Sequence, residues 1–152
     1  MINEFMEATQ EKSLEPRTNE VKIADDDAPR TTPFADLDAP VKLAIECASE
    51  KKAFGIVALD LREIASFTEF FIVCSGANTR QAQAISDEIN ERLKKDLNAR
   101  AVRIEGYRAA EWILLDYGDF VVHIFEKDAR EFYDLERLWR DAKKVELPED
   151  FN

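Results

Sequence analysis

Residues Glu111–Glu126 read EWILLDYGDFVVHIFE: two apolar runs on either side of DYGD (Asp116–Asp119). The pattern predicts a β-hairpin with Tyr117–Gly118 at its tip. A two-residue loop would set Asp116 opposite Asp119, Leu114 opposite Val121 and Trp112 opposite His123. Directly opposed side chains share a face. One face then carries Ile113, Leu115, Phe120, Val122 and Ile124, all apolar and suited to a helix-covered core. The other carries Trp112, Leu114, Asp116, Asp119, Val121 and His123, the only histidine in 152 residues. An aromatic, two aliphatics, two acids and an imidazole on one face suggest a contact surface, where rings anchor and charges orient. The plainer alternative is a structural histidine, with Trp112 lying under a terminal helix. A one-residue slip in register would exchange the faces.

Working outward from the hairpin, EFFIVCSG (Glu69–Gly76) is a nearly continuous apolar run, as in a central strand buried on both sides. IVALDL (Ile56–Leu61) predicts a strand before it, and AVRIEG (Ala101–Gly106) a strand after it. Pro40 suits the first turn of a helix. Val41, Ala44, Ile45 and Ala48 follow it at helical spacing, with an end expected near Phe54–Gly55. Asn78 and Gln81 form a capping pair. Ala82, Ile85, Ile89, Leu93 and Leu97 then mark one buried stripe. Asp128 and Glu131 signal a closing helix that buries Phe132, Leu135, Leu138 and Trp139. The order α-β-β-α-β-β-β-α predicts a single α/β domain, with helices packed on a mixed sheet of about five strands.

The segment before Pro40 differs in composition. From Met1 to Pro40 there are ten acids against four bases and four of the five prolines, with no sustained apolar period. Such a segment buries too little to offset its ordering entropy. Residues 1–39 are therefore expected to form a disordered acidic arm. The folded domain is expected over 40–145, with a short tail over 146–152.

The net charge is −11, which disfavours non-specific nucleic-acid binding, because that depends on Lys and Arg displacing counterions from phosphates. An acidic surface favours basic partners. Cys47 and Cys74 lie in apolar stretches outside any CxxC pair, as reduced cytoplasmic thiols do. Two Cys and one His are too few for a structural zinc site. No apolar run reaches the eighteen or so residues of a membrane span, and the N-terminus lacks a signal-peptide core. The chain also lacks GxxxxGK[ST], GxGxxG and GxSxG. CSGANTR (Cys74–Arg80) sets one glycine before a helix start, a weak anion loop whose Ser75 and Thr79 also serve as capping groups. Cys74 with His123, or Asp116 with Asp119 around magnesium, are the remaining catalytic combinations, and neither spacing is specific. No cofactor and no metal are expected.

The blocks ALDLREIASFTEFFIVCSGANTRQAQAISDEI, RIEGY, EWILLDYGDFVVHIF and AREFYDLERLW resemble the iojap family, the bacterial ribosomal silencing factors. The resemblance runs from about Pro40 to Trp139. It implies a nucleotidyltransferase-like topology without that class's chemistry. It further implies a translational repressor that binds large-subunit ribosomal protein number fourteen on the intersubunit face and keeps the small subunit from joining. Homodimers and a part in large-subunit assembly are also implied. On this chain the motif places Trp112, Leu114, Asp116, Tyr117 and Asp119 as contacts, with Val121 and His123 on the same hairpin face. Two alternatives stand beside this reading. One is a nucleotidyltransferase-like enzyme using Asp116, Asp119 and the Ser75–Thr79 loop. The other is a generic dimeric adaptor that self-associates through the hairpin face.

Overall fold

The computed structural model describes residues 31–151. Of the arm expected over 1–39, residues 1–30 lie outside the described residues. Strand β1 (Thr31–Pro33) and a single 3-10 turn (Phe34–Asp36) precede helix α1 (Ala39–Glu50). Strands β2 (Phe54–Asp60) and β3 (Phe70–Gly76) lead to helix α2 (Thr79–Leu97). Strands β4 (Arg103–Glu105), β5 (Trp112–Asp116) and β6 (Phe120–Glu126) follow. Two short helices, α3 (Lys127–Tyr133) and α4 (Leu135–Leu138), then precede β7 (Lys143–Glu146) and a last 3-10 turn (Glu149–Phe151).

The predicted α-β-β-α-β-β-β-α series is present, flanked by two strands that the sequence did not announce. Among the described residues the sheet therefore has seven strands rather than five, in the order β1-β7-β2-β3-β6-β5-β4. The stretch 31–39, expected to be part of the arm, is structured in part, because β1 pairs in parallel with β7. The residues assigned to a tail include the end of β7 and the last 3-10 turn. Pro33, which lacks a donor, sits on the outermost strand, where no ladder bond is required of it.

The junction of β1 with the sheet is polar. Asp60 at the end of β2 is buried, and Thr32 Oγ1 donates to its Oδ2 at 2.6 Å. Arg62 adds its backbone N–H, Nε and Nη2 to the same carboxylate at 3.0, 3.0 and 2.7 Å. Burial pushes the Asp60 pKa up, but these donors outweigh it and hold the carboxyl at about 2.

Strands β3 and β6 form the parallel centre of the sheet, from Phe70 beside Phe120 to Gly76 beside Glu126. All seven residues of β3 are buried, as its apolar run predicts. Helix α1 buries Val41, Ala44, Ile45 and Ala48 against one sheet face, and it ends at Glu50, earlier than expected. Helix α2 starts as predicted: Asn78 Oδ1 accepts from the Gln81 N–H at 2.8 Å. Its stripe runs from Ala82 to Leu93, while Leu97 is exposed. Gly76 lets α2 approach, since a Cβ there would lie 2.9 Å from the Ala82 nitrogen.

The closing helix is broken. Asp134, at φ 50°, separates α3 from α4. The cap of α3 is Glu126, whose Oε1 accepts from the Ala129 N–H, rather than Asp128. Leu135 and Trp139 are buried and Leu138 packs beside them, but Phe132 is exposed to solvent.

Candidate docking site at the hairpin tip

The hairpin forms with a register two residues away from the expected one. Trp112 faces Phe125, Leu114 faces His123 and Asp116 faces Val121. The loop is longer than two residues, with the Tyr117 N–H donating to the Phe120 carbonyl at 2.9 Å. Because strand side chains alternate with period two, an even slip leaves both face assignments intact. Ile113, Leu115, Phe120, Val122 and Ile124 do lie in the core beneath α1 and α2.

The second face is also buried, which corrects the expectation of an open contact surface. Trp112 is 3% exposed, and Leu114, Val121 and His123 are likewise buried. They lie among Phe71, Val73, Phe125, Leu135 and Trp139, under α3, α4 and the segment between β2 and β3. Trp112 stacks on Phe125 at a centroid distance of 5.0 Å and meets the Tyr133 ring at 4.9 Å. Trp112 Nε1 donates to His123 Nδ1 at 3.1 Å, and the imidazole meets the Phe71 ring at 4.5 Å in an edge arrangement. Burial lowers the His123 pKa to about 3, so the ring is neutral at physiological pH and accepts through Nδ1.

The accessible part of the motif is its tip. Asp116 and Tyr117 are half-buried, and Gly118 and Asp119 are exposed. Asp116 Oδ1 accepts from the Gly118 N–H at 2.8 Å, closing a side-chain-to-backbone turn. Its Oδ2 lies 3.5 Å from Arg103 Nη2 on the neighbouring strand. Gly118 takes φ +87°, a left-handed conformation that favours glycine. The Tyr117 ring stacks nearly parallel on Phe120, with centroids 4.8 Å apart. Burial raises the Tyr117 hydroxyl pKa to about 12. Two bonds from the approach to β3 pin the tip: Thr68 Oγ1 donates to the Gly118 carbonyl at 3.0 Å, and the Glu69 N–H to the Asp119 carbonyl at 2.8 Å.

Residues that sequence order could not associate with the tip gather around it. Asp38, Glu69 and Arg100 join Tyr117 and Asp119 around one cavity. Phe67, 43% exposed, borders a second cavity together with Arg62, Gly118 and Asp119. Glu69 carries a weak sequence signal, as the one acid immediately before the central strand. Asp38 and Arg100 carry none, since only the fold brings them there.

The catalytic combinations come apart. Cys74 packs on the α1–α2 side of the sheet, whereas His123 packs with the opposite cluster around Trp112. Burial also pushes the Cys74 thiol up to about 12, far from a reactive thiolate. Asp116 pairs with Val121, while Ser75 pairs with Phe125, four residues further along β6. The Ser75–Thr79 loop and the acids therefore lie at opposite ends of the sheet, about 13 Å apart along the strand at the usual rise. Among the described residues, no group of three or more His, Cys, Asp or Glu side chains is placed to hold a metal.

The crevice at the carboxyl ends of β3 and β6 is where a sheet of this kind would receive a ligand. Here Arg130 is held in its wall. Its Nη1 donates to Ser75 Oγ at 2.9 Å, and its Nε and Nη2 bond Glu136 at 3.0 and 2.9 Å. The lining holds Lys127 and Arg130 against Asp128, Glu131, Asp134 and Glu136, an acidic balance that disfavours phosphates.

Residues 35–152 match the family model described as "Ribosomal silencing factor during starvation". The ribosomal silencing factor of Halalkalibacterium halodurans is 42% identical over 107 residues, covering 70% of this chain and 91% of that protein. The one from Bacillus subtilis is 38% identical over 107 residues, covering 70% and 90% respectively. A crystal structure of a Chromobacterium violaceum protein superposes with a TM-score of 0.64 at 34% identity, over 72% of this chain and 88% of that one. With the family model matched over nearly the whole described region and the fold shared with a solved relative, the chain belongs to the ribosomal silencing factor family.

Proposed function

We propose that this protein represses translation in the cytoplasm by binding the large ribosomal subunit and blocking the small subunit sterically. Its contact is large-subunit ribosomal protein number fourteen on the intersubunit face, and no chemical step is involved. The observation that carries the reading is the hairpin tip: Asp116, Tyr117 and Asp119 are presented on a turn pinned by Thr68 and Glu69. A preorganised acidic projection suits a basic protein surface, because the ordering cost of binding is already met in the free molecule. The net charge of −11 favours such a partner over the surrounding RNA. Trp112, Leu114, Val121 and His123 act from beneath, as the packed floor that fixes the tip.

Sedimentation with separated subunits tests this. The purified chain is expected to pellet with large subunits, not with small subunits or joined ribosomes, and to prevent joining when added first. Asp119→Lys is expected to weaken pelleting. Equal pelleting with joined ribosomes would overturn the proposal. Self-association belongs to a separate edge: β4 ends the sheet, with Val102 75% exposed and Ile104 also exposed beside it. Light scattering across a concentration series, with Val102→Lys as the disrupting variant, tests that edge.

A further inference from the structure

We infer that the cavity between the hairpin tip and the start of α1 receives a basic side chain of the protein partner. The stem of an arginine or lysine lies on an apolar floor, and its charged head meets an acidic rim. This rests on the docking reading above and adds the chemistry of one subsite to it.

The cavity measures about 220 Å³. Its floor is made by Val41, Ala99, Tyr117 and Phe120, which are buried or half-buried. Its rim is made by Asp38, Glu69, Asp119 and Arg100, all exposed. An apolar floor under a charged rim matches the two-part character of Lys and Arg, whose methylene stems pack on apolar surface while the head stays at the wet edge.

The rim carries three carboxylates against one guanidinium, and none of the four forms an ion pair among the described residues. Arg92, by contrast, is matched locally by Glu50, Glu88 and Asp96. Asp38 stands at the N-cap of α1, where an aspartate ordinarily accepts from the helix N–H groups. Its side chain makes no such bond. Two rim positions are fixed relative to each other by the bond from the Glu69 N–H to the Asp119 carbonyl.

The geometry also selects among occupants. Among the described residues, the three carboxylates are not placed as a metal-holding group, which disfavours a bare ion as the occupant. Phosphate is repelled by the same three charges, which points away from RNA. A guanidinium or ammonium satisfies them at a distance and gives the partner's approach its salt dependence.

The full chain is sedimented with isolated bacterial large subunits over a salt series. The paired reversal Asp38→Lys with Glu69→Lys is compared with a separate variant, Ala99→Leu, which narrows the floor without changing charge. Glu91→Lys, an exposed change on α2, controls for bulk charge, and thermal unfolding confirms that each variant is folded. Both site variants are expected to lose about tenfold in affinity, and the reversal to flatten the salt dependence. Wild-type affinity in either folded variant overturns the inference while the docking reading stands. Tighter binding by the reversal overturns it in favour of an RNA-facing surface. Failure of the wild type to pellet at all overturns both.

Discussion

Trp112 and His123 are joined by a hydrogen bond inside the sheet's second core, with the indole N–H donating to the imidazole at 3.1 Å. Both residues stand on the hairpin whose tip we propose as the docking point. The bond joins neighbouring strands through diagonally placed residues, and the rings around it seal it from water. Trp112→Ala would open a cavity and strip His123 of its donor. A loss of roughly 3–5 kcal/mol of stability is expected from such a truncation, read as a lowered midpoint in urea. Trp112→Phe retains much of the apolar area but removes the donor, at a cost of about 1–3 kcal/mol. Reduced ribosome binding by Trp112→Ala should therefore track unfolding. A fully stable Trp112→Ala protein would contradict the packing described.

Stability should fall in mild acid because of His123. Its unfolded value is near the ordinary 6.5, and burial lowers the folded value to about 3. Between those values the unfolded chain binds the proton and the folded chain does not, so stability rises with pH. The contribution of the neutral ring is complete above about pH 6.5 and is lost as pH falls towards 3, by up to about 1.4 kcal/mol per unit. Urea titrations at several pH values should show this slope. His123→Phe, less stable at neutral pH, should lack it between pH 4.5 and 6.5.

A second acid-sensitive group sits where β1 joins the sheet. Asp60 has an ordinary pKa of 3.8 and a folded value of about 2, so it stabilises the fold above pH 3.8 and loses that effect below it. The His123 loss begins well above the Asp60 range, and the two windows overlap only between about pH 3 and 3.8. Asp60→Ala leaves Thr32 Oγ1 and the Arg62 backbone N–H without their acceptor. A loss of about 1–3 kcal/mol is expected, with faster amide exchange at Thr32 and Val145, which are paired across β1 and β7. Unaltered exchange there would show that the carboxylate does not hold the edge.

Gly118→Ala separates strain from packing at the tip. At φ +87° an alanine is strained, yet a Cβ would meet nothing within 4 Å. The expected cost is about 1–2 kcal/mol, with weakened pelleting on large subunits as the tip relaxes. Gly76→Ala acts oppositely: its Cβ would press on the α2 backbone at 2.9 Å, at a cost of about 1–3 kcal/mol. The Gly76 variant should lose stability while any folded fraction binds normally. A Gly118→Ala protein of wild-type stability would remove the strain argument.

Much of the sheet was legible because its central strands are near-continuous apolar runs and its long helix is capped by Asn78. The face assignments survived a wrong register because the slip was even. Burial of the second face was not legible, since its cover comes from Phe71, Leu135 and Trp139, which are remote in sequence from Trp112. A mixed set of Trp, His and Leu reads the same whether a partner or the chain's own short helices cover it. Strands β1 and β7 escaped because three or four residues, TTP and KKVE, carry too little periodicity to stand out. Of the site, Asp116, Tyr117 and Asp119 could be read from the motif, whereas Asp38 and Arg100 depend on how α1 and the approach to β4 are folded.

The pairing of β3 with β6 has a kinetic meaning. Phe71 lies beside Val121, so closing the centre of the sheet joins segments some fifty residues apart, a slow step compared with forming the hairpin itself. The hairpin can zip up early, but the bonds from Thr68 and Glu69 that fix its tip exist only after β3 has docked. An incomplete or locally opened molecule offers a loose loop in place of the pinned acidic turn. On the docking proposed above, the ribosome would thus be met only by chains that have finished folding.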